Sequence, residues 1–131
     1  MINPNYVPEW YTSPFQHIKY TLVRNQVQLD ILFDDVADTD KFMSCGCDAQ
    51  VNFYNDDSMA IVQIGEVPER TPIEIYGLLL HEGVHVWQRI KQRMNELNPS
   101  IEFEAYSIQA IAQDLFAMYE ESECDQKQNS I

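Results

Sequence analysis

Residues 71–97 read TPIEIYGLLLHEGVHVWQRIKQRMNEL, and this stretch predicts the central helix of the protein. Thr71 and Glu74 fit a capping box, with threonine at the N-cap, proline at the first helical position and glutamate at the third. The helix should end near Leu97, because Pro99 cannot continue it. The apolar residues that recur at helical spacing are Ile73, Tyr76, Leu80, Val84, Trp87, Ile90 and Met94.

The middle of this predicted helix reads His81-Glu82-Gly83-Val84-His85, which is the pattern H-E-x-x-H. Residues four apart in a helix share a face, so His81 and His85 can both reach one Zn²⁺ at roughly 2.0–2.1 Å. Glu82 lies about 100° further round the helix, where it can accept a proton from a zinc-bound water. Two of the three histidines in the chain fall into this pattern, which favours a metal site over a chance match.

A catalytic zinc needs a third protein ligand, and the next predicted helix offers two glutamates. Ser100 caps that helix, which should run to about Glu120. Glu104 lies about 40° from the centre of its apolar stripe and Glu102 more than about 100° away, so burial favours Glu104 as the ligand. Tyr106 is the nearest candidate for an oxyanion donor. The other candidates for that role are His17, Tyr76 and Tyr119.

From about Thr71 to Tyr119 the chain resembles the gluzincin metallopeptidases, in which a glutamate on the helix after H-E-x-x-H is the third zinc ligand. It looks like a minimal version, similar to small phage and bacterial predicted metallopeptidases. The resemblance implies a zincin-like fold and hydrolysis of peptide bonds. Glutamate followed by alanine in that family favours Glu104, whereas relatives with Glu-x-x-Ala favour Glu102.

The first half of the chain predicts a small antiparallel sheet, so the expected class is α+β in one domain spanning 1–131. Residues 1–13 form an extended arm, and a short helix runs from Ser13 to about Leu22. Strands are predicted at 27–33, 50–54 and 59–64, the last two as a hairpin around a polar turn. An acidic loop is expected over 34–40 and a frayed acidic tail over 121–131. In zincins the strand before the zinc helix commonly binds substrate by edge pairing, which here selects 59–64.

The composition narrows the choice of partners. Eight Lys and Arg against 21 Asp and Glu give a net charge of −13, which opposes binding to nucleic acid or to anionic membranes. No apolar run reaches the ~20 residues of a membrane helix, and the N-terminus lacks a signal-peptide pattern. We therefore expect a cytoplasmic protein, and the resemblance to gluzincin metallopeptidases implies a peptide or protein substrate.

The three cysteines keep more than one hypothesis about the function of the protein open. Cys45 and Cys47 form a single C-x-C pair, which favours reduced thiols in a turn over a zinc knuckle, and Cys124 lies in the acidic tail. The main prediction is a zinc metallopeptidase. The alternatives are hydrolysis of a non-peptide amide, or a non-catalytic acidic interaction protein with a vestigial site or a structural zinc, which Cys45 and Cys47 could help to close.

Overall fold

The computed structural model describes residues 1–13, 17–33 and 40–124, and within these ranges the chain has the predicted α+β class. The elements are β1 (Tyr11–Thr12), β2 (Lys19–Val23), α1 (Gln26–Phe33), β3 (Ala49–Tyr54), β4 (Met59–Ile64), α2 (Pro72–Met94) and α3 (Ile101–Ser122). None of the helices in these described ranges is long and apolar enough to cross a membrane.

The sheet is mixed, and the prediction of a purely antiparallel sheet is wrong. Its strand order is β1-β2-β4-β3, in which β2 pairs parallel with β4 and the other two pairings are antiparallel. Because β4 is hydrogen-bonded on both sides, it cannot bind substrate by edge pairing as predicted. In the described part of the chain, β3 is the outer strand beside it.

Strand β2 occupies residues for which the sequence predicts a helix. Ile18, Tyr20 and Leu22 are all buried in the main core, at the spacing of two that a strand produces. Ile18 and Leu22 are also four apart, which is why their pattern imitates a helical stripe. Phe15, the first residue of the predicted stripe, lies outside the described residues. Long-range pairing with β4 decided between the two periods.

Helix α1 lies where residues 27–33 predict a strand. Asn25 caps it, since its Oδ1 accepts a hydrogen bond from the backbone N–H of Gln28 at 2.9 Å. Val27 and Ile31 are both exposed, by 67% and 60%, because residues four apart lie on one face of a helix. The prediction of a half-buried strand was therefore wrong, because it relied on the alternation of these apolar residues with polar ones.

The β3–β4 hairpin and both long helices are confirmed. Thr71 and Glu74 make both hydrogen bonds of the capping box at the start of α2. Its C-cap is Asn95, in the left-handed conformation, so α2 ends slightly before the predicted Leu97. Ser100 caps α3 as predicted, through its side chain to the backbone N–H of Phe103.

The buried face of α2 differs from the predicted stripe. Ile73 and Leu80 belong to that stripe, yet they are 83% and 42% exposed. The buried residues of α2 are Ile75, Leu79, Glu82, Gly83, Val86, Trp87 and Ile90. The core-facing side of the helix is therefore rotated relative to the expectation.

The N-terminal arm is hydrogen-bonded to β2 and to the end of α3. The Tyr6 hydroxyl donates to the Leu22 carbonyl at 2.8 Å, and the backbone N–H of Asn3 donates to the Ser122 carbonyl at 2.7 Å. Helix α3 continues to Ser122 and Glu123 forms a β-bridge with Ile2, so residues 121–123 belong to defined elements and not to the predicted frayed tail. Most of the predicted acidic loop (34–39) and the rest of the tail (125–131) lie outside the described residues.

Candidate metal centre

His81 and His85 turn their side chains towards each other on the exposed side of α2. Their Nε2 atoms lie 3.2 Å apart, and the rings meet close to edge-on-face with centroids 4.8 Å apart. Two nitrogens that each lie about 2.0–2.1 Å from one tetrahedral zinc are roughly 3.4 Å apart. The two imidazoles therefore fit two adjacent ligand positions of a single zinc ion.

Gln88 orients one of these rings. Its side-chain oxygen lies 2.9 Å from Nδ1 of His85. An amide oxygen only accepts, so Nδ1 carries the hydrogen and Nε2 keeps its lone pair for a metal. The structure thus places the Gln88 amide at the His85 ring.

Glu82 is buried between the histidine face and the core, with 7% of its surface exposed. Burial raises the pKa of its carboxyl group, while the neighbouring His81 and His85 act in the opposite direction. A carboxylate of raised pKa beside two imidazoles is a competent proton acceptor. The geometry thus keeps Glu82 next to the candidate metal position without making it a ligand.

Two clefts open on this part of α2. One, of about 520 Å³, contains His85 and residues 49–53 of the outer strand β3. The other, of about 650 Å³, contains His81. Glu82 and Cys47 line both clefts. The motif therefore faces open space that is bounded on its far side by β3 and by the segment leading into it.

That segment, residues 43–47, is called the cysteine loop below. Gly46 has a φ of +72°, and its backbone N–H donates to the Met43 carbonyl at 3.1 Å. Cys45 and Cys47 are exposed free thiols, and the backbone N–H of Cys47 donates to the Cys45 sulfur at 3.1 Å. The Cys45 side chain is the first cause of a raised pKa of the Cys47 thiol, followed by partial desolvation and by negative neighbours that include Glu82.

Helix α3 packs on the side of α2 that faces away from the histidines. At 100° per residue, Gly83 lies about 160° round α2 from both His81 and His85. A Cβ on Gly83 would come within 3.3 Å of a Leu115 methyl and 3.5 Å of an Ile111 methyl. This close approach fixes α3 against the back of the motif.

The predicted third ligand Glu104 is consequently not beside the two histidines. One of its carboxylate oxygens accepts hydrogen bonds from Trp87 Nε1 at 2.8 Å and from Lys91 Nζ at 2.9 Å. These two contacts, with that of Trp87 first, lower the pKa of Glu104. Helical phase correctly turned Glu104 towards α2, but the side of α2 that it meets is not the histidine side.

Two other α3 candidates, Glu102 and Tyr106, do not line the two clefts at the motif. Glu102 is exposed, and Tyr106 is 65% exposed. Across residues 1–13, 17–33 and 40–124, no group of three His, Cys, Asp or Glu side chains is already arranged to hold a metal ion. The structure therefore brings together His81, Glu82 and His85 from the prediction, but not Glu104 or Tyr106.

No protein-family model, curated protein or solved structure matches this chain. The resemblance to gluzincins accordingly depends on the sequence pattern from about Thr71 to Tyr119, in which residues 81–85 are the specific part.

The predicted turn at the C-x-C pair is confirmed, since residues 42–45 form a turn and the backbone N–H of Gly46 donates to the Met43 carbonyl. A lone C-x-C pair lacks the second pair of a zinc knuckle, and this pattern favours a turn. The chain also contains a histidine pair at metal-ligand spacing, but the sequence does not show that the cysteine loop lies near this pair. Only the packing of β3 beside α2 brings Cys47 into the clefts that border His81 and His85.

Proposed function

We propose that this protein is a zinc-dependent peptide hydrolase of zincin-like organisation. His81 and His85 would hold the metal, and Glu82 would act as general base. The observation that supports the proposal is the 3.2 Å separation of the two Nε2 atoms beside a buried carboxylate. Bound zinc would supply Lewis acidity, which lowers the pKa of water to about 7 and polarises a carbonyl group.

Glu82 moves the proton in this proposal. It takes a proton from the attacking water and returns it to the leaving nitrogen when the peptide bond breaks. Its burial favours this role, because the raised pKa strengthens the carboxylate as a base. In this proposal the cleft at His85 would admit water and substrate to the same side of α2.

An extended peptide is the substrate that suits the neighbouring surface. Strand β3 is the outer strand of the described sheet, and its residues 49–53 line the cleft at His85. A peptide that pairs with an outer strand gains backbone hydrogen bonds along its length. Edge pairing with β3, in place of the predicted strand β4, would lay a scissile bond beside Glu82.

The first prediction is that Glu82→Gln abolishes hydrolysis and keeps the metal. Removing a general base should lower the rate of cleavage of a quenched fluorescent peptide library by about 10²–10⁴-fold. Zinc content should stay unchanged, because Glu82 is not a ligand. Glu120→Gln, at an exposed position of α3, is the matched control and should retain full activity. Hydrolysis that survives in Glu82→Gln would contradict the proposal.

A closed structural zinc site is the second candidate. Cys45 and Cys47 both line the cleft that contains His85, so two thiolates and two imidazoles could fill all four positions. Such a site would stabilise a non-catalytic interaction protein. It predicts a metal that resists removal and no cleavage of any peptide in the library.

A further inference from the structure

A third cleft, of about 510 Å³, lies where the last turn of α2 meets the starts of β2 and β4. We call it the cationic cleft, and its lining among the described residues is Thr12, His17, Lys19, Ser58 and Arg93. Arg93 follows His85 by eight residues, so at 1.5 Å per residue it lies about 12 Å further along α2. The histidine motif therefore does not account for this cleft.

The cleft carries positive charge in a chain whose net charge is −13. Within 1–13, 17–33 and 40–124, Lys19 and Arg93 make no ion pair and no carboxylate lines the cleft. Asp57, on the turn before β4, is instead paired with Arg89 at 2.7 Å. The two cations of the cleft are thus uncompensated within the described chain, and their charge favours an anion as the occupant.

Backbone hydrogen bonds hold the Arg93 guanidinium in place and join the walls of the cleft. Its Nε donates to the His17 carbonyl at 2.9 Å, and one Nη donates to the Asp56 carbonyl at 2.7 Å. Two residues further along each of these segments, the backbone N–H of Lys19 donates to the Ser58 carbonyl at 3.0 Å. Carbonyl groups do not neutralise the guanidinium, and three of its five N–H donors have no partner among the described residues.

Lys19 is positioned by the neighbouring strand. It pairs directly with Thr12 of β1, so the two side chains share one face of the sheet. Its ammonium lies 5.0 Å from the centroid of the Trp10 ring. This cation–π contact does not remove the charge, and the ammonium has three N–H donors. His17, a candidate oxyanion donor in the sequence, lines this cleft and neither of the clefts at the motif.

We propose that the cationic cleft binds a small tetrahedral oxyanion, either inorganic phosphate or the phosphate group of a small phosphomonoester. The planar guanidinium group matches two phosphate oxygens, and a lysine adds a point charge. A phosphate group carries about −1.5 to −2 charges at pH 7, which the two cations can balance. The net charge of −13 repels an extended polyanion such as nucleic acid far more than it repels one small anion. The proposal is independent of the proposed metal-dependent function.

The test is a calorimetric titration of the metal-free, full-length chain with inorganic phosphate in low-salt Tris buffer at neutral pH. We expect one site per chain with a dissociation constant of about 1 mM or lower. Tryptophan fluorescence should change with the same dependence on phosphate, because Lys19 lies against the Trp10 ring. Trp10→Phe should remove that fluorescence change, which separates it from any contribution of the buried Trp87.

Lys19→Gln and Arg93→Gln should each weaken phosphate binding at least about tenfold, the loss expected for one charge-assisted hydrogen bond. Lys41→Gln is the matched control and should leave the affinity unchanged, because Lys41 is an exposed cation that does not line the cleft. Circular dichroism and thermal unfolding of Lys19→Gln should match the parent, since this side chain is exposed. That variant tests the proposal even if Arg93→Gln loses structure with its two carbonyl contacts.

Glycerol 3-phosphate distinguishes the two sources of the phosphate group. If it binds more tightly than inorganic phosphate, the cleft belongs to a phosphomonoester, and if it binds more weakly, the cleft belongs to free phosphate. Acetate should bind more weakly than both, because it has one charge and two acceptor oxygens. Three results overturn the proposal: no saturable binding of either phosphate compound, equal losses in Lys19→Gln and Lys41→Gln, or acetate binding as tight as that of phosphate.

Discussion

Single side chains at the candidate centre show how one residue can orient another. By accepting the hydrogen on Nδ1, Gln88 leaves Nε2 of His85, the nitrogen that would bind the proposed metal, unprotonated. Because Gln88 lies one turn after His85, this contact is made within α2 and does not depend on the cysteine loop. The orientation of His85 is therefore a local property of the helix.

Gln88→Ala should lower zinc affinity about 10–100-fold, because His85 loses the partner that fixes its tautomer and ring orientation. Competition with a chromophoric chelator measures the change. Gln92→Ala is the matched control, since Gln92 lines the same cleft at an exposed position and should leave the affinity unchanged. Equal affinities in the two variants would show that Gln88 does not support the metal.

Among the elements, the contact between α2 and α3 determines which donors can reach the histidines. Gly83 lets the two helices approach closely on the side opposite the motif. The same approach turns Glu104 towards Trp87 and Lys91. The contacts of Gly83 and those of Glu104 thus both lie on the side of α2 that faces away from the histidines.

Gly83→Val should lower the free energy of unfolding by about 1–3 kcal/mol, because its side chain overpacks against Leu115 and Ile111. Gly77→Ala is the matched control within α2. A Cβ there meets nothing within 4 Å, so better helix propensity should raise stability by up to about 1 kcal/mol. Urea unfolding of metal-free protein measures both. A stabilising Gly83→Val would contradict the close packing.

The start of α2 should make stability dependent on acid pH. The backbone and side chain of Thr71 lower the pKa of Glu74, and Arg70 contributes to the same shift. A carboxyl group whose pKa is depressed in the folded state adds stability above its unfolded pKa and loses that stability as the pH falls through its folded pKa.

Glu74→Gln should therefore be less stable than the parent at pH 7, and the difference should shrink as the pH falls below about 4, near the unfolded value for glutamate. Thermal unfolding of metal-free protein between pH 7 and pH 3 measures this. Glu69→Gln, at an exposed position before the helix, serves as control and should show no such dependence. A constant difference for Glu74→Gln across that pH range would exclude the capping carboxylate as its source.

In the molecule as a whole, Arg24 joins the end of the sheet to the end of α3. Its Nε donates to the Ile64 carbonyl at 2.7 Å, one Nη to the Gly65 carbonyl at 3.1 Å and the other to the Ser122 hydroxyl at 2.8 Å. The side chain is almost fully buried and stacks on the Tyr119 ring. One guanidinium group thus links elements that are far apart in sequence through hydrogen bonds.

Arg24→Met should lower the free energy of unfolding by more than about 2 kcal/mol, because buried carbonyl groups lose their donor. Arg70→Met is the control, since Arg70 forms its ion pairs at the surface, where water and salt screen them and removing them should change stability much less. Chemical unfolding followed by tryptophan fluorescence compares the two. Equal effects would show that the buried network adds no more to stability than the surface ion pairs do.

Patterns between near neighbours in sequence predicted much of this fold. The capping box at Thr71, the N-cap at Ser100 and the hairpin of β3 and β4 all depend on residues within a few positions of each other. The pairing of His81 with His85 is equally local, because one helical turn sets the distance between them. Such features could be inferred from the chain alone, since neither their energy nor their geometry needs a distant partner.

Contacts between distant segments settled the remaining features. The parallel pairing of β2 with β4 made a strand of residues whose spacing also fits a helix. The packing of α3 behind Gly83 directed Glu104 away from the histidines, and the position of β3 brought Cys47 to the clefts on either side of Glu82. Each of these outcomes is governed by which surfaces bury the most apolar area against one another, and residues far apart in sequence contribute to that choice together.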